Sequence, residues 1–89
     1  MFGVVFRAKV LVLHGAEDPY VSESEVSAFE KEMTQAHVDW QLIKYGGAVH
    51  GFTNLANGSD NSKGAAYNKL ADERSYQAMT EFFKEIFGR

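Results

Sequence analysis

Cysteine is absent from this 89-residue chain. That absence excludes disulfides, thiolate metal sites and a cysteine nucleophile together. Basic charge is scarce as well: 9 Lys and Arg stand against 12 Asp and Glu, a net charge of −3. Neutralising phosphates needs a basic face, so no nucleic-acid partner is expected. Lys and Arg are scattered, with no run that reads as a membrane-surface patch. The longest apolar run, Val10 to Leu13, is far too short to span a bilayer, so no membrane partner is expected either. Residues 1–7 lack the basic n-region and cleavage site of a secretory signal, which makes the cytoplasm the default address. What is present is ordinary for a soluble globular protein: 45% apolar and 24% charged residues. The expectation is one domain over residues 1–89, with residues 1–7 as an N-terminal extension or strand remnant. A chain this short buries only about 60–65% of its unfolded surface, so its stability should be marginal.

Lys9 to Gly15 is a Val- and Leu-rich run ending at a glycine, and it reads as a strand buried on both faces. Asp18-Pro19 then breaks the chain into a loop, because the residue before proline avoids the helical region. A helix follows with clear start signals. Ser22 and Glu25 have capping-box spacing, and Val21 and Val26 sit where a hydrophobic staple needs them. Val26, Phe29 and Met33 recur at helical spacing, and Ala36-His37 ends the element with a histidine at the negative end of the dipole. Val38 to Tyr45 alternates in polarity and reads as a second strand at or near a sheet edge. Gly46-Gly47 stops it. Thr53 to Ala66, rich in Asn, Ser, Gly and Asp, reads as a mobile surface loop. From about Leu70 to Phe87, Tyr76, Met79, Phe83 and Ile86 mark an amphipathic helix, with Gly88 as its C′ residue. The order is β-α-β-loop-α, an α/β unit whose two strands are parallel across a crossover.

Open α/β sheets place their sites at the C-terminal ends of strands. Here those ends carry Leu13-His14-Gly15-Ala16-Glu17-Asp18-Pro19 and Gly46-Gly47-Ala48-Val49-His50-Gly51-Phe52. An acid after one strand and a histidine after the next match the downstream part of a nucleophile–acid–histidine order. The histidine takes the nucleophile's proton, while the carboxylate fixes its tautomer and stabilises the imidazolium. Each loop alone also has a bland reading. Asp18 can cap a structural turn, and His50 can be a plain loop residue. Parallel strands carry both to one end of the sheet, and that pairing makes Asp18 and His50 the candidate catalytic residues.

Longer stretches carry a resemblance. Ala8 to Ser22 (AKVLVLHGAEDPYVS), Val38 to Leu42 (VDWQL) and Tyr45 to Asn54 (YGGAVHGFTN) are similar to the dienelactone hydrolase family. So is the tail, with Gly64 to Asn68 (GAAYN), Ala71-Asp72, Ser75-Tyr76, Met79, Phe82-Phe83 and Ile86-Phe87. The resemblance runs from Ala8 to Phe87 and implies a partial α/β-hydrolase fold, β-α-β-α with parallel strands, lacking the upstream half of the sheet. It implies hydrolysis of lactones or carboxylic esters, with Asp18 as triad acid and His50 as triad base. No cofactor and no metal are implied. The departures concern the rest of the machinery. No Gly-x-Ser-x-Gly or Gly-x-Cys-x-Gly occurs, so the nucleophile is absent, and both usual oxyanion-hole donors are missing with it. Asn54 stands where the dienelactone enzyme itself has an arginine that helps hold the substrate carboxylate.

The remaining polar residues take structural readings. His14 is expected to make a hydrogen bond at the strand end, since no second ligand sits at metal-site spacing. His37 reads as a helix-terminal surface residue. Ser22 reads as a cap, Ser24, Ser27 and Ser75 fall on helices, and Ser59 and Ser62 lie in the loop, a poor place for a nucleophile. Trp40 and the C-terminal aromatics read as core, and Glu17, Glu23 and Glu25 as loop and helix-start charges. Three functions stay open: a truncated hydrolase inactive alone, an interaction module that kept the fold, and one half of a split hydrolase completed by an N-terminal half. The expected partner is a second copy. Phe2 to Phe6 is apolar and β-prone but has no turn signal before Val10, so it should not fold back as a hairpin. That would leave one edge of Lys9–His14 open to form a homodimer near residues 2–14.

Overall fold

A computed structural model of the protein describes residues 2–6 and 9–88, residues 2–6 through their backbone. Three strands form one sheet in the order β1 (Phe2–Phe6), β2 (Lys9–Gly15), β3 (Asp39–Tyr45). Strands β2 and β3 run parallel, in register from Lys9↔Asp39 to Gly15↔Tyr45. The chain crosses between them through helix α1 (Glu23–Gln35), and helix α2 (Lys69–Phe87) closes the molecule. The α/β reading with a parallel pair therefore holds.

Strand β2 is the buried centre: Val10, Leu11, Val12, Leu13 and His14 are all inaccessible. Because side chains alternate across a strand, Leu11 and Leu13 share one face. That face meets Tyr45, Ala48, Phe52 and the α2 residues Ala71 and Phe82 in one apolar cluster. Helix α1 packs against β3 and buries Val26.

Local chemistry sets both ends of α1. The Ser22 side chain accepts from Glu25 N–H while Glu25 accepts from Ser22 N–H, a complete capping box. At the other end His37 N–H donates to the Thr34 carbonyl and Val38 N–H to the Met33 carbonyl, a Schellman closure. The position that usually takes glycine there is His37, at φ 57°. Helix α2 ends on Gly88 at φ 71°, the C-cap its sequence announces.

Three expectations need correction. Phe2–Phe6 does fold back: β1 pairs antiparallel with β2 from Phe2↔Leu13 to Phe6↔Lys9. The connecting residues 7 and 8 lie outside the described residues. The pairing satisfies the edge of β2 that the sequence left open, and a ladder of this length outweighs a missing glycine turn signal. Second, residues 53–66, a surface loop as expected, also hold short helical turns that the loop reading did not include. Two 3₁₀ turns, Leu55–Asn57 and Asn61–Lys63, are capped by the Asn54 and Asp60 side chains. Asn57 and Asn61 side chains donate to the carbonyls of Gly51 and Gly47 at 2.9 and 3.0 Å. Third, Tyr76 does not join the buried face of α2; it is 65% exposed, and Ala71, Ser75 and Phe82 take the buried positions.

Candidate active site

Both candidate loops grow from the same end of the parallel pair. Past β2, Ala16 N–H donates to the Tyr45 carbonyl and Glu17 N–H to the Ala48 carbonyl, which knits the Asp18 loop to the chain leaving β3. Gly15 makes this approach possible. A Cβ there would lie 2.5 Å from the Val49 carbonyl oxygen and 2.8 Å from that of Ala48. Within the second loop Ala48, Val49 and Phe52 are buried, and the Phe52 ring tilts against Tyr45 at 5.6 Å. His50 is therefore the outward residue of an anchored loop. Its own backbone is clamped on both sides: His50 N–H donates to the Gly64 carbonyl, and its carbonyl accepts from Ala66 N–H.

The side chains of Asp18 and His50 meet. His50 Nδ1 lies 3.0 Å from Asp18 Oδ2, across 32 residues of sequence. Asp18 Oδ1 accepts the Tyr20 backbone N–H at 2.8 Å, so both carboxylate oxygens are engaged. The carboxylate side chain is 1% exposed and the imidazole 45%. With a carboxylate as acceptor, Nδ1 carries the hydrogen and Nε2 the lone pair. The Tyr20 ring stands perpendicular to the imidazole, with centroids 5.2 Å apart. A cleft of about 170 Å³ is lined by the pair together with Gly15, Val49, Gly51, Phe52 and Thr53. Chemically, this is a buried carboxylate bonded to a half-exposed imidazole beside a cleft.

The other singled-out residues lie apart from this contact. His14 is buried, and its Nδ1 has no hydrogen-bond partner among the described residues, so the expected strand-end bond of that nitrogen is not made. Burial holds the His14 pKa below its ordinary value; Lys44 pushes the same way, and Asp18 and Glu23 oppose. His37 caps α1. Ser22 caps the same helix, the Ser62 hydroxyl donates to Asp60, and the Ser75 hydroxyl donates to the Asp72 carbonyl. Asn54 accepts from Ala56 N–H and caps a 3₁₀ turn. Trp40 is half-buried and donates its indole N–H to Thr34, and Glu23 pairs with Lys44 at 3.0 Å. Among the described residues no group of three or more His, Cys, Asp or Glu is placed to hold a metal ion. No helix among them is long and apolar enough to cross a membrane.

Sequence reasoning passed over Tyr20 and the clamp at residues 64–66. An aromatic two residues past a candidate acid was the available signal for the first. The clamp is a long-range pairing that no local pattern announces.

Residues 5–87 match the model of the dienelactone hydrolase family. An uncharacterized protein of Caenorhabditis elegans is 37% identical over 78 residues, which make up 88% of this chain and 49% of that protein. Among solved structures, a dienelactone hydrolase-like promiscuous phosphotriesterase from metagenomic libraries superposes with a TM-score of 0.80 at 43% identity, over 86% of this chain and 32% of its own. A second, named m3DLH, gives a TM-score of 0.77 at 43% identity, over 84% of this chain and 31% of its own. The chain thus spans about half of the worm relative and about a third of the solved ones.

Proposed function

The chain belongs to the dienelactone hydrolase family, and on that footing we propose that it carries the acid and base, without the nucleophile, of a carboxylic ester or lactone hydrolase. The supporting observation is the bond of His50 Nδ1 to the buried Asp18 carboxylate, in a pair that lines the cleft. In the proposed cycle His50 Nε2 takes the proton of a hydroxyl or thiol as that group attacks the ester carbonyl. Asp18 holds the ring and balances the imidazolium, which then returns the proton to the leaving alkoxide and leaves the acyl group on the nucleophile. His50 next takes a proton from a water that attacks this acyl group, and gives it to the departing nucleophile as the carboxylic acid is released. On this reading the nucleophile and the oxyanion donors lie outside these 89 residues, which hold no cysteine and no nucleophile-elbow motif. The phosphotriesterase relative adds phosphotriesters to the esters that merit assay.

Alone, the chain should hydrolyse p-nitrophenyl acetate no faster than free imidazole does. A saturable rate abolished by His50→Ala would overturn this. Supplied in trans with the N-terminal segment of a dienelactone hydrolase, it should gain saturable hydrolysis that His50→Ala removes. A complex that forms but stays inactive favours the interaction-module reading.

For partners, we propose a second copy of this chain. With β1 paired on β2, the outer edges of the sheet are those of β1 and β3; β3 carries Asp39 and Lys44, whereas β1, Phe-Gly-Val-Val-Phe, carries no charge and no proline. Such an edge pairs readily with another strand. An N-terminal hydrolase half is the other occupant considered.

A further inference from the structure

We propose that Tyr20 is a positioning residue for His50, holding the imidazole in the orientation that bonds Asp18; this rests on the acid–base reading of the pair. The imidazole is 45% exposed, and a single hydrogen bond, to Asp18 Oδ2, fixes its rotation. Rings this open normally hop between rotamers. What opposes that here is Tyr20. The side chain is solvent-facing, with the residue 61% exposed, yet it is braced at both ends. Its backbone N–H donates to Asp18 Oδ1 at 2.8 Å, and its hydroxyl reaches the Lys63 carbonyl at 3.4 Å. Between those points its ring lies perpendicular to the His50 ring at 5.2 Å, a favourable aromatic arrangement.

Gly64 sets the position of the Tyr20 ring. At φ 85° it sits in the left-handed region, and a Cβ there would fall 2.9 Å from the Tyr20 hydroxyl oxygen and 3.1 Å from Pro19 Cγ. The same Gly64 accepts the backbone N–H of His50 through its carbonyl, at 3.2 Å. One bare stretch of backbone therefore supports the base directly and the tyrosine beside it. Tyr20 touches the base and transfers no proton, so its effect should appear in the geometry of the imidazole.

Nitrogen-15 spectra of the His50 ring in the full chain test this. Wild type should show one set of signals for a ring protonated at Nδ1, with a slowly exchanging Nδ1 proton. Tyr20→Phe keeps the ring-on-ring contact and should keep that pattern. Tyr20→Ala should average the two tautomers and lose the slow proton, with the backbone amide spectrum otherwise that of wild type. Gly64→Ala displaces the tyrosine without altering it and should give the same loss. If both alanine variants keep the wild-type ring signals while Asp18→Asn loses them, Tyr20 does not position the base. If Asp18→Asn also keeps them, the acid–base reading fails and this inference with it.

Discussion

A single backbone N–H decides what Asp18 must remain. Tyr20 N–H requires an acceptor at one carboxylate oxygen, and His50 Nδ1 faces the other. In Asp18→Asn the amide oxygen turns to Tyr20, leaving the amide N–H₂ against Nδ1. The ring must then accept at Nδ1 and carry its hydrogen on Nε2, where it cannot take a proton. Hydrolysis by the chain supplied in trans with its missing segment should fall on the order of 10⁴-fold, as such tautomer reversals do. Turnover within tenfold of wild type would count against Asp18 as the orienting acid. His14 makes a different kind of prediction. Burial, reinforced by Lys44 against Asp18 and Glu23, keeps its folded pKa below the ordinary 6.5. Below pH 6.5 the unfolded chain takes up a proton that the folded chain refuses until lower pH. Stability should therefore be complete above that pH and decline beneath it, levelling once the folded pKa is passed. Urea unfolding at pH 7.5 and 5 should show the decline in wild type and a shallower one in His14→Leu. Equal slopes would assign the acid sensitivity elsewhere.

Among elements, α1 was written almost completely in the sequence and the loop from Thr53 to Ala66 hardly at all. Ser22 and Glu25 sit three residues apart and satisfy each other wherever a helix starts, so the cap is legible without the rest of the chain. The parallel strands and the meeting of Asp18 with His50 were legible for a similar reason: crossover connections leave few topologies. By contrast, Asn57 and Asn61 order their loop only because the carbonyls of Gly51 and Gly47 lie within reach, which is a fact of the folded molecule. The β1–β2 ladder escaped notice because its drive comes from the unsatisfied edge of β2, a feature of the sheet rather than of any turn residue. At the end of α1 the sequence shows a compromise. His37 takes a left-handed conformation, which costs an L-residue about 1–2 kcal/mol. Glycine adopts it freely but gives up about 0.5–1 kcal/mol of backbone entropy. His37→Gly should thus stabilise the chain by about 0.5–1 kcal/mol, seen as a higher urea midpoint at unchanged m. A lowered midpoint would mean that the imidazole contributes more at this helix end than the strain costs.

Over the whole molecule, the three-stranded sheet is small beside the two solved relatives, which are about three times as long. The proposed second copy would extend it across β1. Light scattering coupled to size exclusion should then give a mass above 9.9 kDa that rises with concentration. Val4→Pro removes a backbone donor from β1 and should weaken association. A mass fixed at 9.9 kDa across concentrations would rule the dimer out, and association untouched by Val4→Pro would move it to the apolar side of α2, where Tyr76 and Phe87 are exposed.

The contact between Gly15 and the carbonyls of Ala48 and Val49 has a consequence on an evolutionary time scale. The acid and base loops meet backbone to backbone, so their separation does not depend on the identity of any side chain lying between them. Descendants of this sequence can exchange an exposed cleft side chain such as Thr53 while Asp18 and His50 keep their distance. The exceptions are Gly15, where even a methyl group would drive the loops apart, and Gly51, at φ 63°, where a Cβ would run into the Asn57 side chain. Drift at the exposed rim of the cleft is thus cheap, and drift at those two glycines is closed.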